Sequence, residues 1–161
     1  MPVNTGAEKI ILELGLGPLP VEGGYYRRIW ESAARLADGR PAGSLIWFLL
    51  TAENFSALHR LDAEEIWHFH RGDAVEHVQL NPQQGTMQSR VLGGVALAPL
   101  VVPAGVWQGA RLVPEGQTDG WALLSCAMTP AWMEGGFELG RRAELEREFS
   151  AAAGLIAALT R

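Results

Sequence analysis

Several common chemistries have no residues to work with in this chain. There is one cysteine, Cys126, so no internal disulfide can form, and a cytoplasmic, reducing compartment is the expectation. There is one lysine, Lys9, which falls in a helix facing solvent by its pattern, so Schiff-base catalysis is not expected. Neither Gly-x-Ser-x-Gly nor a Walker-type loop occurs, which removes local support for a serine hydrolase or a P-loop nucleotidase. Basic residues are sparse, 13 against 18 acidic ones for a net charge of −5. With no Lys/Arg cluster, neither nucleic acid nor an anionic membrane surface is an expected partner. Long apolar runs are also missing. The longest, Leu45 to Leu50, is too short to cross a bilayer, and the first residues lack the basic and apolar regions of a secretory signal.

Apolar residues, by contrast, are plentiful: 48% of 161 positions, enough for one domain with a substantial core. Thr5 and Glu8 have capping-box spacing, and Ile10, Ile11 and Leu14 follow at helical spacing, which predicts a helix over 5–15. Pro18 to Gly24 reads as a loop. Short strands are then expected at 25–30, 44–51, 65–70, 75–80, 88–92, 95–102, 106–113 and 121–128, separated by Pro/Gly turns. That density and spacing predict a mainly β sandwich or barrel. Residues 141–159, rich in Ala, Glu, Leu and Arg, predict a closing helix broken at Gly154. The strand 44–51 is apolar on both faces. Both faces need cover, and a small barrel has one interior, so a homodimer is expected.

All four histidines lie between 59 and 77, among carboxylates and aromatics. In a strand over 65–70, Glu65, Trp67 and Phe69 share one face, and Ile66, His68 and His70 share the other. A carboxylate on an aromatic face is paired, bound to a cation, or raised in pKa. A turn at 62–64 would bring His59 opposite Glu65 as a hairpin neighbour. Such a pair is a proton-transfer couple, two ligands of a metal, or a structural hydrogen bond. Tyr26 offers a hydroxyl and Arg28, on the same strand face, a cation for an anionic group. His68 and His70 read as packing or contact residues, and His77 has no assigned role.

Glu22-Gly-Gly-Tyr-Tyr-Arg, His59-Arg-Leu-Asp-Ala-Glu-Glu-Ile-Trp-His-Phe, Val102-Pro-Ala-Gly-Val-Trp-Gln108 and Phe137-Glu-Leu, in this order, resemble the cupin superfamily, and within it the DUF985 (Cupin_5) family. The resemblance spans roughly residues 8 to 149 and implies a double-stranded β-helix, a jelly-roll barrel with a helix at each end. Glu65 and Gly72 keep the first cupin motif's spacing, and Pro103-Ala-Gly105 its second turn. Leu58 and Arg60 stand where the first motif has His-x-His, with His59 between them, and Gln108 replaces the second motif's histidine. If a divalent metal is bound, the resemblance implies His59, Glu65 and Gln108 as its ligands. The resemblance is nearer to the nucleotide-sugar epimerase cupins, which need no metal and use a histidine base and a tyrosine acid. By that analogy His59 is the base, balanced by Glu65, and Tyr26 the acid. Trp67, Phe69, Gln108 and Arg28 line the pocket. The expected function is binding of a small polar molecule, such as a carbohydrate derivative, with metal-independent acid/base isomerisation. The rivals are a non-catalytic binding module and a metal-dependent oxygenase or isomerase with a reduced ligand set.

Overall fold

The structure, a computed structural model, describes residues 5–95 and 98–161. Helix α1 (Thr5–Leu14) leads into eleven strands: β1 (Gly17–Pro18), β2 (Tyr25–Glu31), β3 (Ser44–Thr51), β4 (Ser56–Leu61), β5 (Glu64–Gly72), β6 (Val75–Asn81), β7 (Thr86–Leu92), β8 (Leu100–Val102), β9 (Trp107–Leu112), β10 (Trp121–Thr129) and β11 (Phe137–Leu139). Helices α2 (Arg142–Glu148) and α3 (Ala153–Ala158) follow. The strands form two antiparallel sheets, ordered β1-β2-β3-β10-β5-β8 and β11-β4-β9-β6-β7. Their facing sides enclose a core that includes Phe48, Leu50, Trp67, Val75, Ala110 and Leu124. The mainly β barrel with helices at both ends is the architecture the turn spacing predicts.

Several expectations need correcting. The Thr5 side chain of the expected capping box lies outside the described residues, as do residues 96 and 97 of the strand expected over 95–102; among its described residues Leu100–Val102 are strand. The closing helix breaks at Phe149, not Gly154. Phe149 takes φ −123°, ψ 58° and buries its ring with Leu58, Val78 and Ile156, while Gly154 lies inside α3. Strand β3 is covered on its outer face from within the chain. Ala7, Ile10 and Leu16 pack against Leu49 and Leu123, so α1 takes much of the role assigned to a second subunit.

The turn at 62–63 does not close a hairpin. Strand β4 pairs with β9 and β11, whereas β5 pairs with β10 and β8. The chain therefore crosses from one sheet to the other between Leu61 and Glu64, and His59 and Glu65 belong to opposite walls of the barrel.

The loop after β5 is fastened by Asp73, which is buried. Its carboxylate accepts the backbone N–H groups of Thr118, Asp119 and Gly120 and the Thr118 hydroxyl. Burial alone pushes this carboxyl upward, but the donors outweigh it and hold it below its ordinary value. A depressed carboxyl stabilises the fold above its unfolded pKa and loses that contribution as pH falls through the folded value. Asp73→Asn should cost about 1–3 kcal/mol at neutral pH, because an amide N–H meets the Gly120 donor. Urea denaturation should show this cost shrinking as the pH is taken below about 4.

Candidate functional site

Strand β4 is irregular where the site begins. Ser56 pairs with Ala110 and His59 with Gln108, so one extra residue sits on β4 between them. This bulge releases Ala57 and Leu58 from the ladder. The Ala57 N–H bonds the Glu22 carbonyl at 2.9 Å, and the Leu58 N–H bonds the Leu159 carbonyl at 2.8 Å. It also rotates the side chains. Leu58 turns out to the cluster under α2 and α3, and His59 turns in, 1% exposed. Arg60 points away to Glu138 at 2.7 Å and lies over the Trp107 ring.

The His59 ring is held on three sides. Its Nδ1 is 2.7 Å from the Ala57 carbonyl, which can only accept, so Nδ1 carries the proton. The ring stacks on Phe137 with centroids 5.3 Å apart. In the neutral ring Nε2 is then bare, 4.0 Å from Oε2 of Glu22, a distance suited to an ion pair but too long for a hydrogen bond. Glu22 is itself fixed, its Oε1 accepting the Ser56 hydroxyl at 2.7 Å.

Glu22 sits on a strained loop. Val21 has φ 69°, and the Glu22 N–H returns to the Pro20 carbonyl at 2.8 Å, a γ-turn unfavourable for a β-branched residue. Gly23 and Gly24 also take positive φ, and a Cβ on either would strike Phe55, Arg161 or Phe48. The Arg161 guanidinium pins the loop from behind, donating to the carbonyls of Val21 (2.9 Å), Glu22 (2.7 Å) and Phe55 (3.2 Å).

On the opposite wall, Glu65 is 7% exposed and belongs to a polar network whose direction one atom decides. The Trp67 indole N–H can only donate. It lies 2.9 Å from Gln108, so the Gln108 atom there must be the carbonyl Oε1. The Gln108 amide nitrogen therefore faces Glu65 and donates to its Oε2 at 2.8 Å. Trp67 also donates to that oxygen at 3.2 Å. His77 Nε2, 3.3 Å from the same Gln108 oxygen, must be a donor, which leaves His77 Nδ1 a bare acceptor, buried and without a partner. Oε2 of Glu65 is thus committed as an acceptor, and a proton on this carboxyl resides on Oε1.

Burial raises Glu65 to about 7. His59 opposes the rise, Glu22 adds to it, and the bonds from Gln108 and Trp67 oppose it. Burial drives His77 the other way, to about 3, so its ring is neutral. The Cys126 thiol is raised well above its ordinary value by burial and by Glu65 and Glu22, so it is an unreactive wall residue.

Glu22, His59 and Glu65 open on one cavity of about 520 Å³, among largely apolar side chains that include Ile46, Phe48, Trp67, Met128, Trp132 and Phe137. Of the sequence-predicted residues, His59, Glu65, Trp67, Tyr26 and Arg28 line it. Gln108 stands behind Glu65. Phe69 is not on the wall: it packs against the core beside Gly93. Arg28 is partly neutralised by Glu31 at 2.9 Å. His70 lies on the α1 side of its sheet, bonded to the Ser125 hydroxyl at 2.8 Å and set against Trp47. The sequence reading missed Glu22 as a site residue and gave His77 no role. The glycine pair after Glu22 was the available signal for the first. For the second, strand parity in β6 sets His77 on the same face as the core residue Val75.

The residues do not fit a resident transition metal. Gln108 turns its oxygen to Trp67 and His77 and only an N–H toward Glu65, and Leu58 and Arg60 point away. On the cavity wall, His59 Nε2 is then the one bare ring nitrogen among the described residues, for a metal that prefers several. No group of three or more His, Cys, Asp or Glu side chains among the described residues is arranged to hold an ion. No helix there is long and apolar enough to cross a membrane.

The model of a family described as Cupin superfamily (DUF985) matches residues 8–140. The chain belongs to this cupin family. Two solved structures share the fold over nearly the whole length: a hypothetical protein from Leishmania major (29% identity, 96% of this chain and 98% of that one, TM-score 0.86) and protein SO0799 from Shewanella oneidensis (29%, 96% and 97%, 0.87). A dTDP sugar isomerase from Desulfovibrio desulfuricans G20 is similar in fold at 16% identity, over 78% of this cupin and 80% of that chain, with TM-score 0.55. No curated protein matches the chain in sequence.

A carboxyl raised on folding favours the fold below its unfolded pKa and loses that contribution as pH rises through the folded value. From an ordinary 4.5 to about 7, this loss is roughly 3 kcal/mol. Glu65→Gln mimics the protonated acid, with its oxygen at Oε2 and its amide toward the cavity. Denaturation at several pH values should find the variant gaining on the wild type between about pH 4.5 and 7 and holding its advantage above.

Proposed function

We propose that this cupin binds a small polar molecule, such as a carbohydrate derivative, in the barrel cavity and isomerises or epimerises it by metal-independent acid/base chemistry. The observation that carries the reading is the meeting of two proton-transfer atoms. The bare Nε2 of His59 and the unbonded Oε1 of Glu65 reach one apolar cavity from opposite sheets. His59, with Nδ1–H spent on Ala57, is the base. Glu22 balances the imidazolium formed when Nε2 takes a proton. Glu65, raised to about 7, is present as acid and as carboxylate near neutrality and returns a proton from Oε1. Tyr26, on the same wall, is a second hydroxyl for ligand contact or proton return. The apolar surroundings strengthen each of these interactions. The dTDP sugar isomerase fold adds support as analogy.

One general acid or base is worth on the order of 10²- to 10⁴-fold in rate. His59→Gln should lower turnover by about that factor while the far-UV spectrum is unchanged, whereas His68→Gln, on the outer face, should leave turnover intact. Thermal-shift screening of free sugars and nucleotide sugars supplies the substrate for this assay. Full activity in His59→Gln would end the acid/base reading and leave a binding module.

We also propose a cytoplasmic homodimer. Its support is an exposed apolar patch, Trp30 (52%), Trp132 (39%) and Met133 (48%), near Gly43 and Ser44. Light scattering at micromolar concentration should give about 35 kDa, twice the chain mass of 17.5 kDa; a monomer overturns the assembly.

A further inference from the structure

His77 is a costly residue where it stands. It is fully buried on β6, its ring meets Trp67 edge to face at 4.8 Å between centroids, and its Nδ1 has no partner. A phenyl ring would fill the same space and leave no polar atom stranded. What imidazole adds is a single donor, the Nε2–H aimed at the Gln108 carbonyl. That carbonyl has two donors, Trp67 and His77, on either side, and an amide so gripped cannot flip.

We infer that His77 is a positioning residue for Glu65. Its Nε2–H, acting through Gln108, keeps the amide N–H on Glu65 Oε2 and so reserves the cavity-facing Oε1 as the atom that carries the proton. The inference rests on the reading of Glu65 as an acid of the site, but its test needs neither substrate nor turnover. Without the His77 donor, the Gln108 carbonyl is held by Trp67 alone. Its amide spends less time on Glu65, and the carboxylate loses part of a charge-assisted bond. The other groups facing Glu65 stay in place: Glu22 from the loop before β2, His59 from β4 and the Cys126 thiol from β10.

The experiment follows the Glu65 carboxyl carbon by NMR in glutamate-labelled whole protein, with the resonance assigned by its loss in Glu65→Gln. Wild type should titrate near 7. His77→Phe, which keeps the ring packing, should raise the midpoint by about 0.5–1 unit, the scale of a weakened bond to a charged group. His77→Gln, whose amide extends about as far as Nε2, should restore it, which a purely structural role would not do. An unchanged or lower midpoint in folded His77→Phe overturns the inference. Wild type offers an independent check should that variant not fold. The His77 ring nitrogens should show Nε2 protonated and Nδ1 bare throughout about pH 5–8, since burial keeps the ring neutral. A proton on Nδ1, or a titration in that range, also overturns it. If His77→Phe moves the midpoint but His59→Gln keeps full turnover, the acid/base function falls and the positioning role stands. The converse pattern separates them the other way.

Discussion

A single indole N–H sets the polarity of this protein's interior. Trp67 cannot accept a hydrogen bond, so the atom in front of it must, and that requirement passes from Gln108 to Glu65 and to His77. Four side chains from three strands, β5, β6 and β9, are thereby given one arrangement of donors and acceptors. In a nearly dry setting the alternatives leave two donors face to face or two acceptors face to face, each costing a few kcal/mol. The proton-bearing oxygen of Glu65 and the neutral tautomer of His77 are consequences of this one constraint.

The His59 side of the cavity is set by backbone instead. The extra residue in β4 breaks the β4–β9 ladder and offers the freed Ala57 carbonyl to the His59 ring that the same bulge turns inward. The Ala57 N–H, freed by the same break, is taken by the Glu22 carbonyl, so the strained loop and the bulge hold each other. Arg161 closes the arrangement from outside. The site is thus a meeting of Glu65 on one sheet, held by a polar network that crosses to β6 and β9, and the distorted strand β4 on the other sheet, with an apolar cavity between them.

Much of the barrel was legible because alternation and turn residues are local signals. Ser44–Thr51 is strand with the boundaries its pattern implies, and Val75–Leu80 and 121–128 extend by a single residue each. Glu65 and Trp67 on an inward face followed from parity alone. Phe69 shares that inward face and packs against the core, but its ring lies beside Gly93 rather than on the cavity. Strand β4 was not legible as part of a second sheet: its crossing at 62–63 resembles a hairpin turn, and pairing partners are not written locally. The bulge that places His59 was equally invisible, since it consists of bonds to Glu22 and Leu159, far away in sequence. Nor could His77 be recognised from its own surroundings, because its meaning comes from Gln108, thirty-one positions on.

The free oxygen of Glu65 ties occupancy of the cavity to proton exchange with solvent. Near neutrality the carboxyl is shared between its two forms, and a guest can select one of them. A molecule that presents a hydroxyl or amine hydrogen to Oε1 selects the carboxylate and expels a fraction of a proton; one that presents a lone pair selects the acid and takes up a fraction. The heat of binding should therefore change with the ionisation enthalpy of the buffer, and the sign of that change reports which kind of atom the guest places against Glu65.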